Sequence, residues 1–274
     1  MSLAPSRYRQ ILPNSLLVIP LLLVPTTGFS REAADDKAAE VVAAAVEALG
    51  GARFLAVKNT VSEGRYFFYN KGRKGFARFF DWTVYEEPVK SRFQLGNGKR
   101  ADITVYNLQL NKGWHKESPV DLKELTEKDI EDFKSQIKKD LNYILKNRRN
   151  EDGLSMFYFG PGEISEDGDW EAVEFVDKTN DTVTVYFDRE SHFPTKVKSQ
   201  FTDGLGLRHE REIEFYNWHE IDGIQFALRS DASIDGELAE QTYIEVIRVN
   251  DVIPEDHFLA PPVKVAKKKK NGKN

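Results

Sequence analysis

The sequence predicts a mainly β fold of α+β type: an antiparallel meander of about eleven strands, accompanied by two amphipathic helices. Apolar and polar residues alternate with a period of two through most of the chain, the signature of half-buried strands. Asn-Gly, Asp-Gly and related dipeptides separate the alternating runs, and they supply the positive φ angles that tight hairpins need. Eighteen Phe and ten Tyr against two Met favour pleated surfaces.

Residues 1–30 stand apart. Arg7 and Arg9 precede the apolar run LLVIPLLLV (16–24), and Gly28-Phe29-Ser30 ends it with small residues at the outer positions. That pattern reads as a secretory signal peptide. The alternative, an uncleaved anchor, is disfavoured because the run is about half of the ~20 residues a spanning helix needs and Pro20 interrupts it. Residues 31–263 then form one domain, with no linker dividing it, and 264–274 a disordered Lys-rich tail.

Within the domain, residues 33–49 predict a helix. Ala38, Val42, Val46 and Leu49 recur at helical spacing, and Gly50-Gly51 supplies the stop. A second helix is predicted over 126–147. Ile130, Phe133, Ile137, Leu141, Ile144 and Leu145 make one stripe, with Thr126 and Asp129 as a capping pair. Strands are predicted over 60–69, 75–85, 89–95, 101–109, 113–116, 154–160, 169–177, 182–188, 194–202, 207–217, 224–231 and 239–250. Turn signals stand at Asn97-Gly98, Asn111-Lys112-Gly113, Gly160-Pro161-Gly162, Asp167-Gly168, Asn180-Asp181, Asp203-Gly204, Asp222-Gly223 and Asp235-Gly236. The apolar face of so many strands needs a cover. A closed sandwich would provide one; a strongly curved sheet with two helices across its mouth would instead leave an apolar cavity.

Charge and cysteine content narrow the function. Residues 31–263 carry 31 basic against 44 acidic side chains, a net of −13, which argues against nucleic acid as a partner. The six lysines of the tail would suit transient contact with an anionic membrane surface. There is no cysteine, hence no disulfide, thiol nucleophile, thiolate metal site or lipid-bearing residue behind the leader.

Catalytic spacing is sparse. No Gly-rich phosphate loop, GxSxG or HExxH motif is present. The eye-catching stretch is FYNWHEIDGIQFALRS (215–230). If 207–219 is one strand, His209 and His219 share a face but stand about 33 Å apart, too far for one metal. With Asp222-Gly223 as a two-residue turn, Phe226 pairs with His219, Leu228 with Asn217 and Ser230 with Phe215. His219 then shares a face with Phe215, Phe226 and Leu228, while Glu220 points away. The expectation is no catalytic residue, no metal and no cofactor.

Several passages, taken in order, resemble the LolA/LolB-like periplasmic lipoprotein-carrier superfamily. They are VEALGGARFLAVKNTVSEGRYFF (46–68), LNKGWHKESPVDLKELTEKDI (110–130), TVTVYFDRESHFPTKVKSQF (182–201), IEFYNWHEIDGIQFALRSDASIDG (213–236) and IEVIRVNDVIPEDHFLAPP (244–262). The resemblance implies a half-open barrel lidded by helices that binds acyl chains of a lipid or lipoprotein. The signal peptide and the missing cysteine lead to the expectation of a soluble periplasmic or secreted protein, taken as a monomer. The chain departs from the family's lipidated outer-membrane receptor branch in having no cysteine, and from the soluble carriers in its greater length and its lysine tail. The residues expected to line the cavity are Phe80, Trp82, Val185, Phe187, Val197, Phe201, Ile213, Phe215, Phe226 and Leu228. Trp114 is expected at the mouth and His219 at the rim. A hydrolase using carboxylates in the same cleft, or an interaction module with a closed core, are the alternatives.

Overall fold

A computed structural model describes residues 31–70, 73–159 and 169–263. The proposed leader, the lysine tail and the turns at Gly160-Pro161-Gly162 and Asp167-Gly168 lie outside the described residues. The first helix, α1 (Arg31–Ala48), is followed by the short α2 (Ala52–Leu55). The first wing of strands is β1 (Asn59–Asn70), β2 (Arg73–Val84), β3 (Lys90–Leu95), β4 (Asp102–Asn107), β5 (Lys112–Ser118) and β6 (Asp121–Glu124). Helices α3 (Glu127–Ile137) and α4 (Leu141–Lys146) come next. The second wing is β7 (Ser155–Phe159), β8 (Trp170–Val176), β9 (Thr182–Asp188), β10 (Pro194–Thr202), β11 (Arg208–Ile221), β12 (Ile224–Ile234) and β13 (Glu237–Val249).

All thirteen strands join one open antiparallel sheet, ordered β6-β5-β4-β3-β2-β1-β13-β12-β11-β10-β9-β8-β7. The curved open sheet expected from the sequence is therefore present, with thirteen strands among the described residues where about eleven were expected. Each wing is a local meander. The wings meet at the β1–β13 pair, where Thr60 faces Val249, and their free edges are β6 and β7.

Helix α1 covers the second wing. Ala38, Val41, Val42, Ala45, Val46 and Leu49 are buried on its inner side. They pack with Val173, Phe175, Val183, Val185, Phe187 and Val197 of the sheet and with Leu141, Ile144 and Leu145 of α4. The helix stops at Gly50 (φ 122) and Gly51 (φ 55). Its last turn abuts the β11–β12 hairpin: Gln225 N donates to Leu49 O at 3.0 Å. A Cβ on Gly50 would stand 2.6 Å from Gly223 O. Gly50→Ala thus combines a left-handed φ with a backbone clash, and should cost about 2–4 kcal/mol in urea unfolding. A loss below about 0.5 kcal/mol would show that the contact yields freely.

The single helix expected over 126–147 is two. Helix α3 begins with the expected capping box, Thr126 accepting from Asp129 N and Asp129 from Thr126 N. It ends at Lys138, and α4 restarts with Asp140 as N-cap, accepting from Tyr143 N at 2.9 Å. The break lets each helix follow its own part of the sheet. Phe133 of α3 stacks on Tyr106 of β4 at 3.9 Å. The α4 region is held to the end of β2, where Asn142 and Asn147 donate to the Tyr85 hydroxyl and carbonyl. Lys146 donates to Val57 O.

Beyond α4, Arg148 is fully buried. Its Nη1 donates to Lys138 O at 2.9 Å, its Nε to Glu151 at 3.2 Å, and its Nη2 lies 3.6 Å from Asp177. Burial alone would raise the Asp177 pKa. Hydrogen bonds from Thr179 and Asp181, together with the Lys138 charge, bring it down to about 2. The helical crossing is thereby fastened to the β8–β9 turn.

The last described residues return across the outer face of the first wing. Phe258 is buried against Ala101, Ile103 and Val105, with Trp82, Val84, Trp114 and Ile253 around it. Arg92 and Asn107 donate to the carbonyls of His257 and Phe258, and Lys90 pairs with Glu255 at 2.7 Å.

Candidate functional site

Directly paired residues share a face of a sheet, so the ladder identifies the concave surface. One row crosses eight strands: Val173, Val185, Val197, Ile213, Ala232, Glu240, Phe68 and Gly75. It begins as sealed core, with Val185 at 0% and Val197 at 1% exposure, and ends with Phe68 at 41%. Ile213, next to Val197, is only half-buried. A second row, Phe215, Ser230, Thr242, Tyr66 and Ala77, runs beside it. The concave face is thus filled where α1 and α4 lie and open toward β13, β1 and β2.

The open part sets aromatic rings beside the hydroxyls of Ser230 and Thr242 and one Arg–Glu pair. Tyr66 lies 6.2 Å from Phe68 and 6.0 Å from Phe93, ring to ring, and Phe93 stacks on Phe79 at 6.1 Å. Arg211 Nη2 donates to Glu240 at 2.8 Å. Burial, then the charge and hydrogen bond of Glu240, hold the Tyr66 phenol well above its ordinary range.

A polar strip continues the face beneath α4. Asp81 pairs across the ladder with Ser62 and Phe93, on the side of Ile247 and Val249, which pack against the main core. Its carboxylate accepts from Thr83 Oγ1 at 3.1 Å. Burial outweighs that bond and, with the charge of Asp140, pushes Asp81 up to about 7. Burial likewise raises Asp140, against hydrogen bonds from the Tyr143 and Asn142 backbone.

These shifts have a sign. Between pH 4 and 7 the folded chain holds a proton on Asp81 that the unfolded chain has lost, so this group's contribution to stability falls as pH rises through that window. His257 works the other way from pH 6.5 down to 4, since burial and then Arg92 lower its pKa to about 4. The difference between Asp81→Asn and the parent isolates the carboxyl. The variant should gain on the order of 1–3 kcal/mol relative to the parent on going from pH 5 to pH 8, measured by urea unfolding. An equal difference at both pH values would remove Asp81 from the account.

The residues expected to line a cavity divide into three groups. Ile213, Phe215 and Leu228 are on the concave face and half-buried; Phe201 shares that face and stacks on His209 at 5.3 Å. Val185, Phe187, Val197 and Phe226 are on the same face but belong to the packed core. Phe80, Trp82 and Trp114 point away from it, and this corrects the expected face. Trp82, Arg92, Val105 and Trp114 form one paired row on the outer side, and Trp82 meets the His257 ring at 4.5 Å. Phe80 and Trp82 of β2 were expected to face inward; the C-terminal segment covers Trp82 and Val84 from outside.

The β11–β12 hairpin has the expected register. Asp222 (φ 54) and Gly223 (φ 75) form its turn, and His219 pairs with Phe226 and stands exposed. Asn217 (φ 56) interrupts simple alternation, and Trp218 packs against the core and stacks on Phe193 at 5.2 Å. Tyr66, Phe79, Asp81, Phe93, Arg211, Glu240 and Asp140 escaped the sequence reading. Alternation offers Phe79 and Phe93; the lone acid in FARFFDWTV is the signal for Asp81. Among the described residues no group of three His, Asp or Glu is placed to hold a metal, and no helix is long and apolar enough to cross a membrane.

No protein-family model matches the chain, and no curated protein matches it. Solved structures do. A DUF1329 family protein from Desulfovibrio piger aligns over 82% of this chain and 97% of its own, with TM-score 0.54 and 11% identity. A domain named for outer membrane lipoprotein sorting, from Vibrio parahaemolyticus, aligns over 81% and 97%, with TM-score 0.52 and 12% identity. A LolA superfamily protein from Nitrosomonas europaea aligns over 81% and 96%, with TM-score 0.49 and 14% identity. The first two give a shared fold.

Proposed function

We propose that this chain is an exported, non-catalytic carrier or sensor that binds a hydrophobic ligand, an acyl chain of a lipid or lipoprotein, on its concave face. The observation that carries the proposal is the row from Val197 to Phe68. It passes from sealed core at Val197 through half-buried Ile213 to the exposed Phe68 ring without leaving the face, and its Glu240 is neutralised by Arg211. Likeness of fold to the Vibrio domain, whose name refers to lipoprotein sorting, supports the class of ligand. Burial of methylenes, roughly 0.8 kcal/mol each, would supply the affinity. The leader-like pattern of residues 1–30 and the absence of cysteine support reading it as a soluble exported form, and the lysine tail suits brief contact with an anionic membrane.

Organic extraction of the purified full chain, followed by lipid mass spectrometry, tests this directly. Co-purifying acyl lipid that is displaced by an acyl-chain fluorophore supports the proposal. Lipid-free protein that also fails to bind the fluorophore overturns it. Asp81 and Asp140 favour one second reading, a hydrolase using this carboxyl pair. Turnover of a chromogenic acyl ester that Asp81→Asn abolishes would establish it.

A further inference from the structure

The outer face of the first wing carries a feature that acyl binding leaves unexplained. A cleft of about 490 Å³ is lined by Arg92, Lys99, Lys116, Ile103, Pro119 and Val263, among others, and no carboxylate among the described residues lines it. Lys116 is only 4% exposed. One of its three protons is satisfied by Ala101 O at 2.8 Å, and no other acceptor for it is found among the described residues. Arg92 is anchored by its bond to His257 O and lies over the Trp82 ring at 5.8 Å. Its Nε is sealed without a partner among the described residues, and burial lowers its pKa from the ordinary value. Lys99, at the lip, is exposed. Enclosed cations without a counter-charge are costly, and a body with a net charge of −13 has acids in plenty to supply one. Yet the nearby Glu255 is engaged by Lys90.

We propose that this cleft is an anion site that takes a phosphate group carried on a partly apolar molecule. Arg92, Lys99 and Lys116 would meet the phosphate oxygens, charge-assisted donors being the strong ones. Ile103, Pro119 and Val263 would take the adjoining carbon skeleton. Arg92 is held in place by the C-terminal segment, so the site is complete only when residues 253–263 are seated on the sheet. It lies on the opposite face from the acyl trough and is independent of it.

Isothermal titration of the full chain with inorganic phosphate, dihexanoyl phosphatidic acid and zwitterionic dihexanoyl phosphatidylcholine tests this. Saturable binding of phosphate identifies a site for the anion itself; saturation by phosphatidic acid alone identifies a lipid headgroup. Either supports the proposal if Lys99→Gln and Arg92→Gln each weaken binding of the anion about tenfold while leaving binding of phosphatidylcholine, which the acyl trough can supply, unchanged. Lys99 is exposed, so its variant keeps the fold. Binding of neither anion, or unchanged affinity for the anion in either cation variant, overturns it.

Discussion

Ile213→Asp should weaken an acyl-chain fluorophore by roughly 30-fold or more, about 2 kcal/mol, while shifting the melting temperature by no more than about 3 °C. Val197→Asp should instead prevent folding at room temperature, because an unpaired charge in sealed core costs several kcal/mol. The two side chains are direct partners on adjacent strands and share a face. They differ in cover: Val197 lies within the main core cluster, whereas Ile213 is half-buried outside it. Fluorescence titration and thermal melts of both variants decide the matter. If Ile213→Asp also unfolds, the concave face is packed throughout and offers no room for a ligand.

Arg148→Met should cost about 3–5 kcal/mol in urea unfolding, the range for removing one member of a buried ion pair. The loss leaves Asp177 largely buried without this counter-charge and Lys138 O without its donor. Lys138, 3.5 Å from Asp177, would retain part of the compensation, which places the expected cost toward the lower end of that range. A cost below about 1 kcal/mol would mean that the surrounding lysines hold the crossing unaided.

Much of the fold was legible because turn chemistry is local. Asn111, Asn180, Asp222 and Asp235 all adopt positive φ, as short polar side chains in turns do, and each stands at a predicted turn. The capping box of Thr126 was equally plain. What stayed hidden depends on distant parts of the chain. Residues 138–140, Lys-Lys-Asp, contain no helix breaker. The helix divides there because Asp140 caps a new start and because Phe133 and Asn142 are held by different parts of the first wing. Alternation in β2 correctly grouped Phe80 with Trp82 but could not say which side the other elements occupy. That side is set by residues 253–258, more than 150 positions away. The candidate trough was legible only at Ile213, Phe215, Leu228 and Phe201, because its other wall belongs to strands whose inward positions include Asp81 and Thr83, which look like a wet surface.

The seam between β1 and β13 has a kinetic consequence. Every other ladder joins strands adjacent in sequence, but this one brings Thr60 to Val249. Each meander forms from short-range contacts, whereas the seam closes a loop of nearly the whole domain and bears the largest ordering entropy. Mutations confined to one wing should therefore alter that wing's own formation. Mutations at Gly64, where an added Cβ would stand 2.0 Å from Tyr243 O, should slow the late step in which two separately formed halves become one protein.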